Sequence, residues 1–197
     1  MKDNEFDLDK CLEEVETFHG HLCAGVMLGT RMAILGMKGV GINDPKGEDR
    51  KHLMVFVEMD RCATDAILVV TGCHPGKRTM KILDYGKMAA TFINLKTGKA
   101  VRVAAKNTDG DKVYTREMIE KEPHTIEYAK KPDEELFSVA EVKVEIKPED
   151  LPGPPLRTVP CSSCGERVMD MKDIAVDGKY LCRPCADNKR YYSVLKE

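Results

Sequence analysis

The chain has 197 residues and a mass of 22.0 kDa, room for one medium domain and a small module. Its formal charge of −2 creates no global field toward nucleic acid or a membrane, and no apolar run approaches the roughly 20 residues of a bilayer-spanning helix. The acidic opening, MKDNEFDLDKCLEE, lacks the apolar stretch of a signal peptide. A cytoplasmic location is therefore expected, where eight cysteines stand as metal ligands or reactive thiols ahead of disulfides.

Residues 7–37 read as helical. Cys11, Leu12, Val15, Phe18 and Leu22 recur at helical spacing, as do Val26, Met27, Ala33 and Ile34. Gly20 and Gly25 interrupt the run and predict two helices with a break near residues 19–23. The methionines Met27, Met32 and Met37 read as core packing. Asn43, Asp44, Pro45 and Gly47 mark a loop, residues 53–59 a strand, 62–70 a short helix and 72–77 a turn. Residues 89–95 and 100–105 flank a hairpin signal at 96–99. Residues 115–131 look helical with a break at Pro123, and 137–146 alternate as a strand. The expected fold class is α+β: a sheet with helices over residues 1–146, then a small zinc-binding module.

Residues 147–160 (KPEDLPGPPLRTVP) are rich in proline, which removes backbone donors and favours extended chain. They read as a linker to a tail, residues 161–197, too small to fold on apolar burial alone. The tail carries Cys161-Ser162-Ser163-Cys164 and Cys182-Arg183-Pro184-Cys185. Two residues between paired cysteines let both thiolates reach one ion from a tight turn, and two such pairs close a tetrahedron. Cys161, Cys164, Cys182 and Cys185 are thus expected to bind one structural zinc, whose binding supplies folding free energy. The order predicts a knuckle at 161–165, a hairpin through 176–178 and a helix from Cys182 onward carrying Tyr191, Tyr192 and Leu195, in the manner of a treble-clef finger. Two disulfides or a redox dithiol are the competing readings. The tail's basic and acidic residues offset one another, so nucleic acid is not the expected partner.

The larger region holds a second constellation. His19 and Cys23 lie four apart in FHGHLCAG (residues 18–25), with His21 between them. A cysteine at a helix N-terminus meets the positive end of the dipole, which favours thiolate. Cys62 and Cys73 follow in DRCATDA (60–66) and TGCHPGK (71–77), separated by about one short helix, so chain reversal can bring both to one pocket. Asp60 and Asp65 are candidates to orient a ligand histidine or to cap the following helix, capping being the reading for Asp60. Lys87 is a candidate contact for an anion or a solvated lysine. Gly72 through Gly76-Lys77 fails the spacing of a phosphate loop, and Arg78 follows the lysine, so nucleotide hydrolysis is rejected. A lone cysteine is more often a small buried hydrophobe, the reading for Cys11; His52 and His124 read as surface residues.

With Asp84-Tyr85-Gly86-Lys87, these motifs span most of residues 10–105, and on them the chain resembles the E-subunit family of formylmethanofuran dehydrogenase. The resemblance implies an α+β core, commonly dimeric, with a metal-capable Cys/His pocket, and some members carry an appended treble-clef finger. Carried over by motif, the pocket candidates are His19, His21, Cys23, Cys62, Asp65 and Cys73. Ala24 stands where members often have proline, and His74 where they often have threonine; the latter adds a candidate ligand or proton donor.

Three functions compete. In the first, the pocket binds a transition metal (Zn, Fe or Ni) and serves one-carbon or molybdenum/tungsten oxidoreductase chemistry, as part of a homodimer and a larger oxidoreductase complex. There Cys23 and Cys62 are thiolates, and His19 or His21 is a ligand or proton carrier. A redox thiol pair tuned by histidine is the metal-free variant. In the second, the chain is a metal carrier, sensor or assembly factor. In the third, it is a zinc-finger regulator that binds nucleic acid. No pterin or flavin signature marks the chain as a dehydrogenase by itself.

Overall fold

The structure is a computed structural model describing residues 6–107, 110–121 and 125–195; Pro123 and His124 lie outside the described residues. It divides into two compact units, Met1–Glu145 and Ile146–Glu197. No helix among the described residues is long and apolar enough to cross a membrane.

The larger unit is α+β. Helix α1 (Leu8–His19) starts at Asp7, whose carboxylate accepts from Lys10 N, and ends at Gly20, whose φ of 95° is open to glycine at little cost. Helix α2 (Ala24–Val40) starts at Cys23 and ends at Gly41. The break therefore comes from Gly20 alone. Gly25 lies inside α2, where it has a different task described below. Strand β1 (Leu53–Val57), helix α3 (Cys62–Thr71) and strand β2 (Met80–Ile82) form a parallel crossover. Strands β3 (Ala89–Asn94), β4 (Ala100–Ala105) and β5 (Phe137–Glu141) add antiparallel neighbours in the order β2-β1-β3-β4-β5. Short helices α4 (Arg116–Lys121), α5 (Thr125–Lys130) and α6 (Asp133–Leu136) lie between β4 and β5.

One core joins the helices to one sheet face. Leu53, Val55 and Val57 of β1, Ala90 and Phe92 of β3, and Val101 and Val103 of β4 alternate inward and meet Val26, Met27, Met32, Ala33 and Met37 of α2. Glycines set the approach. A Cβ at Gly36 would stand 2.1 Å from the Phe92 ring, and one at Gly29 would stand 2.6 Å from both Cα and the carbonyl oxygen of Ala63. Helix α2 thus rests directly on the sheet and on α3. Asn94 Nδ2 donates to Val40 O at 3.1 Å, satisfying a carbonyl at the end of α2.

Several expectations change. Phe18, on the last turn of α1, is 58% exposed, and Leu22, beyond the helix end at Gly20, is 39% exposed. Cys11 is half-buried and lines a cleft with Lys10, Glu14 and Lys46, so it is not an enclosed hydrophobe. His52 is half-buried and faces Asp49 across 3.7 Å. Asp60 does not cap α3: Arg61 occupies that position and Asp60 stays exposed.

In the smaller unit, β6 (Thr158–Pro160) pairs with β7 (Arg167–Met169), and β8 (Ile174–Val176) with β9 (Lys179–Leu181). Asp177 and Gly178 take φ values of 47° and 74°, the left-handed pair that a tight two-residue hairpin requires. A 3-10 turn occupies Pro148–Asp150. Helix α7 (Arg183–Ala186) has only four residues. The helix expected from Cys182 onward stops there and does not reach the residues it was to carry: Tyr191 is 99% exposed and Leu195 86% exposed.

Candidate functional site

The chain reversal at Gly20-His21-Leu22 sets the last residue of α1 beside the first of α2, and α3 enters from the end of β1. His19, Cys23 and Cys62, from these three helix ends, place one imidazole nitrogen and two Sγ atoms within 4.8 Å of one another. Cys23 caps α2, its Sγ accepting from Val26 N at 3.4 Å, and Cys62 is the first residue of α3. Two helix dipoles therefore point their positive ends at the thiol pair.

His19 Nδ1 lies 2.9 Å from Asp65 Oδ2, one turn into α3. With Nδ1 donating to that carboxylate, a neutral ring presents its lone pair at Nε2. That Nε2 is buried with no hydrogen-bond partner. A buried bare acceptor costs free energy unless something fills the position. Two thiols and a carboxylate-oriented imidazole are a donor set for zinc and its neighbours in the transition series, and tetrahedral zinc would draw the three atoms to about 3.5–3.8 Å apart. The residues fit such an ion and leave a fourth position open. Burial, then the adjacent Cys23 thiol, raises the Cys62 pKa above its ordinary value, so its proton is one that a metal displaces.

The other candidates separate from this group. The His21 ring lies 4.9 Å from that of His19, tilted by 40°, and is exposed. It borders the site without belonging to the three. Cys73 lies apart from the three: it sits in the core, its thiol 3.6 Å from Leu53 O, with burial pushing its pKa up to about 11. The α3 helix that separates Cys62 from Cys73 keeps them at opposite ends of the element. His74 lies in the turn after α3, where its N–H donates to Thr79 Oγ1, and it joins no metal-capable group among the described residues. Lys87 is exposed, its N–H donating to Glu58 O.

Sequence reasoning missed Gly25. A Cβ there would meet Cys62 Cβ at 3.0 Å and Cys23 Sγ at 3.8 Å. Gly25 and Gly29, one turn apart, form a seam that lets α3 approach until its first cysteine reaches that of α2. The four-residue spacing was visible, but without α3 in place it reads as helix breaking.

The second group is Cys161, Cys164, Cys182 and Cys185, with one Sγ from each within 4.8 Å of the others. Cys161 ends the β6 segment, Gly165 N donates back to Cys161 O at 2.9 Å, and Gly165 takes φ 79°. Cys182 follows β9, and Cys185 N donates to Cys182 O at 3.0 Å. Each hairpin thus ends in a knuckle carrying two sulfurs. Backbone N–H groups at Cys164 and Cys182 hold the Cys161 thiol down at about 6. For Cys164 the Glu166 N–H pulls downward, but burial and the neighbouring thiols push the value to about 12. Four thiolates this close repel, and a dication is what lets all four ionise.

Residues 18–147 match the family model described as FmdE, molybdenum formylmethanofuran dehydrogenase operon. A probable S-adenosyl-L-methionine-binding protein from Archaeoglobus fulgidus is 30% identical over 210 residues, an alignment taking in 95% of this chain and 55% of the relative. The chain thus spans about half the length of that curated relative. The crystal structure of a tungsten formylmethanofuran dehydrogenase FmdE-like protein from Syntrophus aciditrophicus shares the fold, with a TM-score of 0.57 and 22% identity over 95% of this chain and 96% of that one. The family match contains His19, Cys23, Cys62 and Asp65, the residues that build the core site, and the chain belongs to the FmdE family.

Proposed function

We propose that the core site is a transition-metal centre with one exchangeable position, in a protein that works beside a molybdenum- or tungsten-dependent one-carbon oxidoreductase. The observation that carries the metal reading is the buried, unpartnered His19 Nε2 beside two thiols. On this reading His19 Nε2, Cys23 Sγ and Cys62 Sγ are the ligands. Zinc, iron or nickel held there would supply Lewis-acid polarisation to a carbonyl or a water. Asp65 keeps the His19 proton on Nδ1 and the ring in place. His21, exposed at the edge, carries protons between the site and solvent. Phe18 and Leu22 give the rim apolar surface against which a substrate or partner can lie.

The oxidoreductase link rests on family membership. On the same reading the protein is a homodimer. Its small unit is a treble-clef zinc finger that docks on a larger assembly, an order supported by knuckle, hairpin and short helix. A second reading, metal carrier or assembly factor, draws support from the half-exposed Cys23 and Cys62, which leave the ion open to exchange.

Elemental analysis tests the centre. Purified protein should hold two metal equivalents per chain, and Cys23→Ser should lose one while the small unit stays folded. If the second equivalent persists at full occupancy in that variant, Cys23 is not a ligand. Exchange of the core metal within seconds against a chelator would favour the carrier, and slow exchange the fixed centre.

A further inference from the structure

We propose that Cys23 and Cys62 are an oxidation site: in the metal-free protein the two close into a disulfide on meeting a small-molecule disulfide, and the oxidised pair can no longer hold a metal. This deepens the metal reading above and rests on it for its consequence, though the disulfide chemistry itself needs only the two thiols.

The two sulfurs lie within 4.8 Å of each other, and both are free and half-exposed. They are side chains at the ends of two packed helices, so the backbone brings them together whether or not an ion is present. The space over Gly25 is clear: its missing side chain is what would have touched both Cys62 Cβ and Cys23 Sγ. Closing the bond to about 2.0 Å brings together two sulfurs that already lie within 4.8 Å, with the Cys23 Sγ releasing the Val26 N–H as it turns. Among the described residues of this unit, the other two cysteines lie apart. Cys73 is enclosed in the core against Leu53 O, and Cys11 lines a separate cleft.

The chemistry balances as thiol–disulfide exchange. Cys23 Sγ, as thiolate, attacks RSSR, forming a mixed disulfide and releasing RS⁻. Cys62, as thiolate, then attacks the Cys23 sulfur, forming the Cys23–Cys62 bond and releasing the second RS⁻. The two protons from the cysteines end on two RSH, and the small disulfide gains the two electrons the protein loses. Cys23 acts first because its sulfur, at the start of α2, accepts the Val26 N–H at 3.4 Å. The product removes both sulfur ligands from the site and leaves His19 alone. Reduction by a dithiol reverses it.

The test uses the full chain treated with oxidised glutathione, once after stripping with a chelator and once loaded with zinc. Digestion after acidic residues separates Cys23 from Cys11 at Glu16 and Cys62 from Cys73 at Asp65, so mass spectrometry assigns each link. Stripped protein is expected to yield the Cys23 and Cys62 peptides joined, and released by dithiothreitol. Zinc at tenfold excess over its Kd should slow this about tenfold. In Cys62→Ser, Cys23 should stop at the glutathione adduct. Recovery of Cys23 and Cys62 from stripped wild-type protein only as free thiols, or only as separate glutathione adducts, overturns the proposal. Linkage at equal rates with and without zinc upholds the disulfide and sinks the metal reading. Absence of linkage in a protein that loses one metal equivalent on Cys23→Ser does the reverse.

Discussion

The two cysteine groups are built in opposite ways. In the small unit Cys161 is the one buried residue among those described, so the sulfur cluster takes the place of an apolar core. In the larger unit a core running from Leu12 to Phe137 already holds three helices on a sheet, and His19, Cys23 and Cys62 occupy the helix ends above it. Where a sulfur cluster is the core, its cysteines must sit in tight local turns, and the spacing announces them. Where the fold stands by itself, ligands can come from anywhere the elements converge.

That contrast can be broken, and the largest effect should come from the small unit. On the zinc-finger reading, Cys182→Ser should abolish its fold, since structural zinc contributes about 10–16 kcal/mol of apparent binding free energy in zinc-finger peptides. Hydrogen exchange should show loss of protection in β6 to β9 while the larger unit melts unchanged; protected strands in the variant would mean that the small unit has stability of its own. Gly29→Ala tests the seam. Its Cβ would press on the Ala63 backbone at 2.6 Å, and overpacking against backbone should cost about 3 kcal/mol. Urea unfolding followed by circular dichroism measures it, and an unchanged midpoint would show that α3 does not need this approach. The smallest effect tests orientation alone. Asp65→Asn should weaken the core metal roughly ten- to a hundredfold with the small unit's metal retained. Titration with a competing chelator reads this, and equal affinity would mean that Asp65 does not orient His19.

Much of the fold was legible because local rules act over a few residues. The start of the helical run at Asp7, the turn from Gly72, the buried methionines of α2 and the hairpin around residues 96–99 all follow from neighbours in the chain. Strand β2 was missed. It has three residues, and its pairing with β1 depends on where α3 delivers the chain. Helical spacing also grouped Phe18 and Leu22 with the core positions, whereas Phe18 is exposed on the last turn of α1 and Leu22 lies beyond the helix end at Gly20.

The site divides the same way. Sequence alone determined the Cys161, Cys164, Cys182 and Cys185 set, because a tetrahedral ion bound by two short turns requires two short spacings. It also marked His19, Cys23, Cys62 and Asp65 as candidates, together with Cys73. Only the tertiary structure decided among them. Helix α3 carries Cys62 to the α2 terminus and sends Cys73 into hydrocarbon at its other end, and the glycines of α2 allow that contact. Those outcomes depend on the packing of elements tens of residues apart, which no local spacing encodes.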